Sequence, residues 1–140
     1  MDTAGQEKYR SITTKFIQNS KIVILVYSII DRKSFENLDY WLNKVKDCIG
    51  SDGYVLGIAA NKNDLYANAV VKDNEGKAFA DKNKVIFAKT SVKENSGIEQ
   101  LVEELVNKYV SLYKLEESEE NSKVQINNNN DDKKPKKKCC

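Results

Sequence analysis

Asn61, Lys62 and Asp64 are the residues of this 140-residue chain whose types and spacing best suit a definite chemistry. They follow directly on an apolar run, Tyr54–Ala60, so a strand would deliver them together at its polar end. One carboxylate, Asp64, can accept from two adjacent donors. Guanine presents such a pair, its ring N–H and its amino group, and adenine does not. Asn61 can hydrogen-bond the other edge of the base and tie the loop to its neighbours. Lys62 can lay its aliphatic stem along the flat face of the ring. The competing explanation is an ordinary polar turn after a strand, since Asn and Asp favour turns.

Two further segments favour the base-reading explanation. Asp2-Thr3-Ala4-Gly5-Gln6-Glu7 stands 59 residues before Asn61. Asp2 could hold a hydrated Mg²⁺, which takes one or two carboxylates plus waters. Gly5 can bring its amide close to a terminal phosphate because no side chain blocks the approach. Gln6 could orient an attacking water. The other segment is Thr90-Ser91-Val92-Lys93, after the short apolar run Val85–Ala88. A turn there would aim backbone N–H groups at the guanine carbonyl oxygen, and Ser91 could brace the loop carrying Asp64. Alone, this tetrapeptide is an ordinary strand-to-helix loop.

The elements that must position these residues alternate between strand and helix. Residues 6–18 are expected to be mobile and partly helical. The β-branched run at 21–27 reads as a strand buried on both faces. Ser34 suits the N-cap of a helix over 35–49, with Phe35, Leu38, Leu42, Val45 and Ile49 on one stripe and Gly50–Gly53 ending it. Residues 54–60 form the next strand. A shorter helix carrying Ala78 and Phe79 starts near Asp73, and 85–89 form a third strand. Ser96-Gly97-Ile98-Glu99 reads as a capping box. It opens a helix with Ile98, Leu101, Val102, Leu105, Tyr109 and Leu112 on one face. This alternation implies an α/β fold with parallel strands and right-handed crossovers.

Together the segments resemble the small GTPases of the Ras superfamily, and their Rab branch in particular. The resemblance rests on D-T-A-G-Q-E at 2–7, Y-R-S-I-T at 9–13, I-L-V-Y at 24–27, S-F-E-N at 34–37 and W-L at 41–42. It continues with N-K-N-D-L at 61–65, E-G at 75–76, T-S-V-K at 90–93 and the Cys139-Cys140 terminus. It covers residues 1–113 plus the C-terminal end. It implies a three-layer P-loop NTPase-like fold, GTP or GDP with Mg²⁺ as ligands, and a switch that directs vesicle traffic. It gives base contacts to Asn61, Lys62, Asp64, Ser91, Val92 and Lys93, the phosphate and Mg²⁺ side to Asp2 and Gly5, and water positioning to Gln6. Escort, exchange, activating and effector proteins are the implied partners.

The departures from that family are specific. No G-x-x-x-x-G-K-[ST] phosphate loop occurs in the 140 residues. The first switch with its Mg²⁺-binding Thr is absent too, and Met1 stands where Trp is usual. Thr14-Lys15-Phe16-Ile17, Ser28 and Val92 also differ from the usual residues. The chain therefore reads as a Rab lacking its first third. The resembled strand order is 2-3-1-4-5-6, so a missing first strand would leave residues 21–27 as an exposed apolar edge, an aggregation hazard. Three readings stay open: part of a longer Rab, a short non-catalytic lipidated interaction module, or a relic.

Composition fits one domain and a tail. Apolar content is 40%, no apolar run is long enough to span a membrane, and the chain has no His. Cys48 is isolated and reads as a small apolar filler on a helix. Net charge is +2, yet the last eight residues hold five Lys, and the remaining 18 basic against 21 acidic residues leave −3. A mildly acidic body argues against a nucleic-acid binder. Residues 114–140 are poor in apolar groups and are expected to be a disordered, hypervariable tail. By the resemblance, Cys139 and Cys140 are paired geranylgeranyl sites that place the protein on the cytosolic face of endomembranes. Two lipid chains anchor stably and the neighbouring lysines add attraction to an anionic leaflet. K-K-P-K-K-K also resembles a nuclear localisation signal, but the terminal position of the cysteines on a tail expected to be disordered favours lipidation.

Overall fold

The protein is described as a computed structural model covering the backbone of residues 10–50 and 53–128 and the side chains of residues 14–50 and 53–114. Its elements are α1 (Arg10–Gln18), β1 (Ile22–Ser28), α2 (Arg32–Glu36), α3 (Leu38–Ile49), β2 (Val55–Asn61), a 3-10 segment (Asn63–Asn68), α4 (Asp73–Asn83), β3 (Ile86–Lys89) and α5 (Ile98–Asn128). The strands form one parallel sheet in the order β1-β2-β3. Ile22 lies opposite Val55 and Gly57 opposite Ile86. The chain divides into two compact units, Met1–Tyr109 and Val110–Cys140.

Alternation along the strands sends side chains to two different cores. Leu25, Tyr27, Leu56, Ile58 and Ala60 face one side and pack with Leu38, Leu42 and Val45 of α3, Ala80 of α4 and Ile17 of α1. Cys48 packs against the same cluster, as a filler would. Val55 and Ala59 face the other side and meet Leu101 and Leu105 of α5. Gly57 sets how close α5 comes: a Cβ there would lie 3.0 Å from both methyl carbons of Leu105. The result is helices on both faces of a parallel sheet, and β2 is buried along almost its whole length.

β1 is a different case. Among the described residues it pairs only with β2, and Ile24 and Val26, on the α5 side, are 38% and 58% exposed. The expectation of burial on both faces therefore fails for this strand, while the apolar edge implied by the family strand order is present. Val102 was expected to share the buried face of the last helix, yet it is 45% exposed. It lines a groove of about 820 Å³ together with Ile24, Val26 and Val92.

Helix boundaries depart from the sequence reading where side chains prefer other work. The helix expected over 35–49 is two helices, broken at Asn37. Asp31, not Ser34, caps the first, its carboxylate accepting from the amides of Lys33 and Ser34. Ser34 instead bridges back to β1: its hydroxyl accepts from the Ser28 amide at 2.9 Å. The capping box at Ser96 is not formed as expected. Ser96 exchanges backbone hydrogen bonds with Ser91, Gly97 adopts φ +73°, and α5 starts at Ile98. Of the tail expected to be disordered from Lys114, residues 129–140 lie outside the described residues, and the backbone before them continues α5 to Asn128. Its Glu, Lys, Ser and Val residues are compatible with helix, and neither Gly nor Pro interrupts them.

Candidate functional site: the corner between β2 and β3

Parallel pairing puts the C-terminal ends of β2 and β3 side by side, so the loops leaving them must share one corner. The amide of Thr90 donates to the Ala60 carbonyl at 2.8 Å, extending the ladder past β3. The amide of Asn63 then donates to the Thr90 carbonyl at 3.0 Å, crossing between the loops. Between those bonds Lys62 takes a left-handed conformation, φ 64° and ψ 34°. Positive φ is uncommon for a residue with a Cβ, and such strain concentrates at functional sites.

The side chains complete the join. Ser91 is fully buried, and its hydroxyl donates to Asp64 Oδ1 at 2.6 Å. The Ser91 hydroxyl oxygen also accepts from the amide of Glu94 at 3.2 Å. Thr90, 3% exposed, donates through Oγ1 to Asn61 Oδ1 at 3.4 Å. The backbone bridge between Ser91 and Ser96 closes the second loop on itself, and Gly97 makes this possible because a Cβ there would collide with the Lys89 carbonyl. The two polar segments thus form one bonded unit built on strand ends.

What this unit leaves unused is as specific as what it uses. Asp64 Oδ2 has no hydrogen-bond partner among the described residues, and Oδ1 retains accepting capacity beside the Ser91 bond. With Asn61 Oδ1 accepting from Thr90, its amide nitrogen is left as a donor. The backbone amides of Val92 and Lys93 have no partner among the described residues. Val92 is 69% exposed, so an apolar side chain stands beside these open donors. Asn61, Thr90 and Val92 also line the groove that runs along β1, whereas Lys62 and Asp64 lie outside its lining.

The structure therefore brings together Asn61, Lys62, Asp64, Ser91, Val92 and Lys93. Asp2, Gly5, Gln6, Cys139 and Cys140 lie outside the described residues, and no group of acidic residues, Cys or His suited to a metal ion occurs among the described ones. Thr90 has no role of its own in the motif, yet it ties both loops together.

A second bonded contact, not foreseen from the motifs, steadies the same side of the sheet. Arg32 at the start of α2 holds Glu75 of α4 through two bonds of 2.6 and 3.1 Å and donates to the Val70 carbonyl at 2.6 Å. Glu75 also accepts from the Lys72 amide that opens its helix. The Arg32 guanidinium, with help from that amide, holds the Glu75 carboxyl down at about 2. Beneath them Tyr27 is buried against Phe35, ring centroids 5.1 Å apart. Burial, with Asp73 and Glu75 adding to it, pushes its hydroxyl up to about 12.

The Ras family matches residues 1–111. The chain belongs to the Ras family. Among its relatives, GTP-binding protein YPTM2 of Zea mays is 40% identical over 99 residues, 71% of this chain and 48% of its own length. Ras-related protein Rab-11B of Dictyostelium discoideum is 40% identical over 114 residues, 81% and 51% of the two chains. RabC of the same organism is 36% identical over 126 residues, 90% and 61%. This Ras-family chain is of the Rab type, and it spans about half the length of the curated relatives it matches. In this Ras-family chain the corner between β2 and β3 carries both N-K-N-D and T-S-V-K.

Proposed function

We propose that the corner is a guanine half-site and that the chain is part of a Rab-type guanine-nucleotide switch in vesicle traffic. The observation that supports this most is the Asp64 carboxylate. It is fixed by the buried Ser91 hydroxyl at 2.6 Å with its second oxygen open. A fixed acceptor loses less freedom on binding than a mobile one. Both carboxylate oxygens can accept the paired N–H groups of guanine. The Asn61 amide nitrogen can donate to the ring nitrogen on the opposite edge, the open amides of Val92 and Lys93 can donate to the carbonyl oxygen, and the Lys62 stem can cover a ring face.

On the same reading Asp2 and Gly5 serve the phosphate side. Asp2 would hold Mg²⁺, which would supply positive charge at the phosphates, and Gln6 would position water, with charge stabilisation from an activating partner. Cys139 and Cys140 would carry prenyl groups, giving peripheral attachment to the cytosolic face of endomembranes. Exchange, activating, escort and effector proteins are the corresponding partners. One sequence feature favours a second reading. The 140 residues contain no G-x-x-x-x-G-K-[ST], so by themselves they would form a lipidated interaction module that holds nucleotide weakly.

Chemical-shift titration of the 140-residue chain with GDP and with ADP tests the half-site. GDP is expected to shift the amides of Asn61, Asp64, Val92 and Lys93, and ADP to leave them in place. Asp64→Asn replaces an acceptor by a donor and should transfer the preference to xanthine, which has a carbonyl where guanine has its amino group. Equal response to GDP and ADP would defeat the base-reading assignment.

A further inference from the structure

Residues 62–71 run from the base-reading end of β2 to the start of α4, and packing does little to hold them. No residue from Lys62 to Val70 is buried, and Val71, 1% exposed, is the first to enter the core. A segment with so few buried contacts opens easily unless hydrogen bonds fix it. The backbone bonds inside it are local, from the Leu65 amide to the Lys62 carbonyl and from the Ala69 amide to the Tyr66 carbonyl. Such bonds shape the segment without placing it. Its placement must come from bonds at its two roots.

Both roots meet at Ile29, the residue that follows β1. Its amide donates to the Asn61 carbonyl at 3.1 Å, and its carbonyl accepts from the amides of Val70 and Val71 at 2.9 and 3.0 Å. The near root is tied further by the bonds from Asn63 to Thr90 and from Ser91 to Asp64. The far root is tied by Arg32, at the start of α2, whose Nη2 donates to the Val70 carbonyl at 2.6 Å. Val70 is thus held through both its amide and its carbonyl. Arg32 is held in turn. Its Nη1 donates to Glu75 Oε1 at 2.6 Å and its Nη2 to Oε2 at 3.1 Å, a paired geometry that fixes the guanidinium plane. Glu75 Oε2 also accepts from the Lys72 amide at 2.9 Å, so the pair grips the chain on either side of Val71. The guanidinium lies 5.8 Å from the centre of the Phe35 ring.

We propose that Arg32 and Glu75 are positioning residues of the base-reading loop, latching its far root so that Asn61, Lys62 and Asp64 keep the spacing a guanine base requires. The inference rests on the guanine half-site reading given above. An exposed ion pair adds little to folding as such. Its leverage here comes from where it acts. Between Asp64 and Val70 no other hydrogen bond to the rest of the fold occurs among the described residues. With the latch closed, the loop is fixed at both ends and loses less freedom when a base binds. With it open, the loop hangs from the corner and from Ile29 alone, and Asp64 gains room to move away from the position that Ser91 sets.

Residue-resolved amide exchange and GDP titration of the 140-residue chain test the latch in parallel. In Arg32→Ala the amides of Leu65, Val70 and Val71 should exchange about two- to five-fold faster, while those of β2 keep their wild-type rates. GDP should bind more weakly by a similar factor, with the response to ADP unchanged. Glu75→Gln should act in the same direction but less, because Arg32 keeps its bond to Val70. The double variant should be no worse than Arg32→Ala alone, since both changes act through one contact. Asp73→Asn removes the neighbouring exposed pair with Lys89, which touches neither root, and should leave both readouts at wild-type values. Faster exchange spread over the whole sheet would mean a general loss of stability and would overturn the proposal. So would unchanged exchange at Val70 and Val71, unchanged GDP affinity, additive losses in the double variant, or an equal effect of Asp73→Asn. A wild-type chain that answers GDP and ADP alike would overturn the base reading itself, a failure visible before any variant is made.

Discussion

The corner at the C-terminal ends of β2 and β3 and the outer edge of β1 belong to one sheet and treat their polar groups in opposite ways. At the corner, buried hydroxyls of Ser91 and Thr90 tie two loops together and leave selected donors and acceptors open at fixed positions. Along β1, the outward amides and carbonyls of Ile22, Ile24 and Val26 have no partner among the described residues, and the side chains beside them are apolar. An open group held by a bonded frame can select a ligand by its pattern. An open backbone row selects only for extended chain, because every strand offers the same groups.

The comparison can be pressed hardest through the α5 face, which is closed over β2 and leaves Ile24 and Val26 of β1 exposed. Leu105→Ala removes a side chain with no exposure and should destabilise by about 2–5 kcal/mol in urea unfolding. A cost no larger than that of an exposed site would mean that α5 does not close the sheet. Next in size is Ser91→Ala, which deprives both Asp64 and the Glu94 amide of a partner at a buried position. A loss of about 1–3 kcal/mol is expected, with weakened discrimination between GDP and ADP. Unchanged discrimination would show that the clamp on Asp64 is not what fixes the acceptor.

Glu75→Gln should have a smaller effect that depends on pH. The folded-state carboxyl titrates at about 2 against an ordinary value of 4.5. Its contribution is therefore complete above about 4.5 and vanishes as pH falls towards 2. The variant should be less stable than the wild type at neutral pH, and the gap should narrow through that acidic window. A gap independent of pH would place the effect elsewhere than in the Arg32 pair. The smallest effect belongs to the edge. Val26→Lys should leave the folding stability of the chain within about 0.5 kcal/mol, because its side chain is already mostly exposed. A large loss would mean that Val26 packs against more than the edge suggests.

The corner was legible in the sequence because its parts are contiguous motifs at strand ends. N-K-N-D and T-S-V-K each follow an apolar run, and parallel strands bring such ends together without further information. All three strands fall within a residue of their expected bounds for the same reason. The failures have local causes. Ser34 is a sound cap by composition, but Asp31 stands three residues earlier and takes the amides, which frees Ser34 for β1. Ser96-x-x-Glu99 fits a capping box, yet Ser96 is used in the bridge to Ser91. The apolar spacing of 21–27 reports that a strand is hydrophobic, not which neighbour covers it, so Ile24 and Val26 could not be told from core residues. The Arg32–Glu75 contact joins residues 43 apart in sequence and has no local signature.

Ser34 has a further consequence. By bonding both the amide and the carbonyl of Ser28, its hydroxyl pins the last residue of β1 to the first turn of α2. Removing that one oxygen would leave the Ser28 amide without its partner and loosen the join between strand and helix, and with it the end of the sheet nearest the base-reading corner.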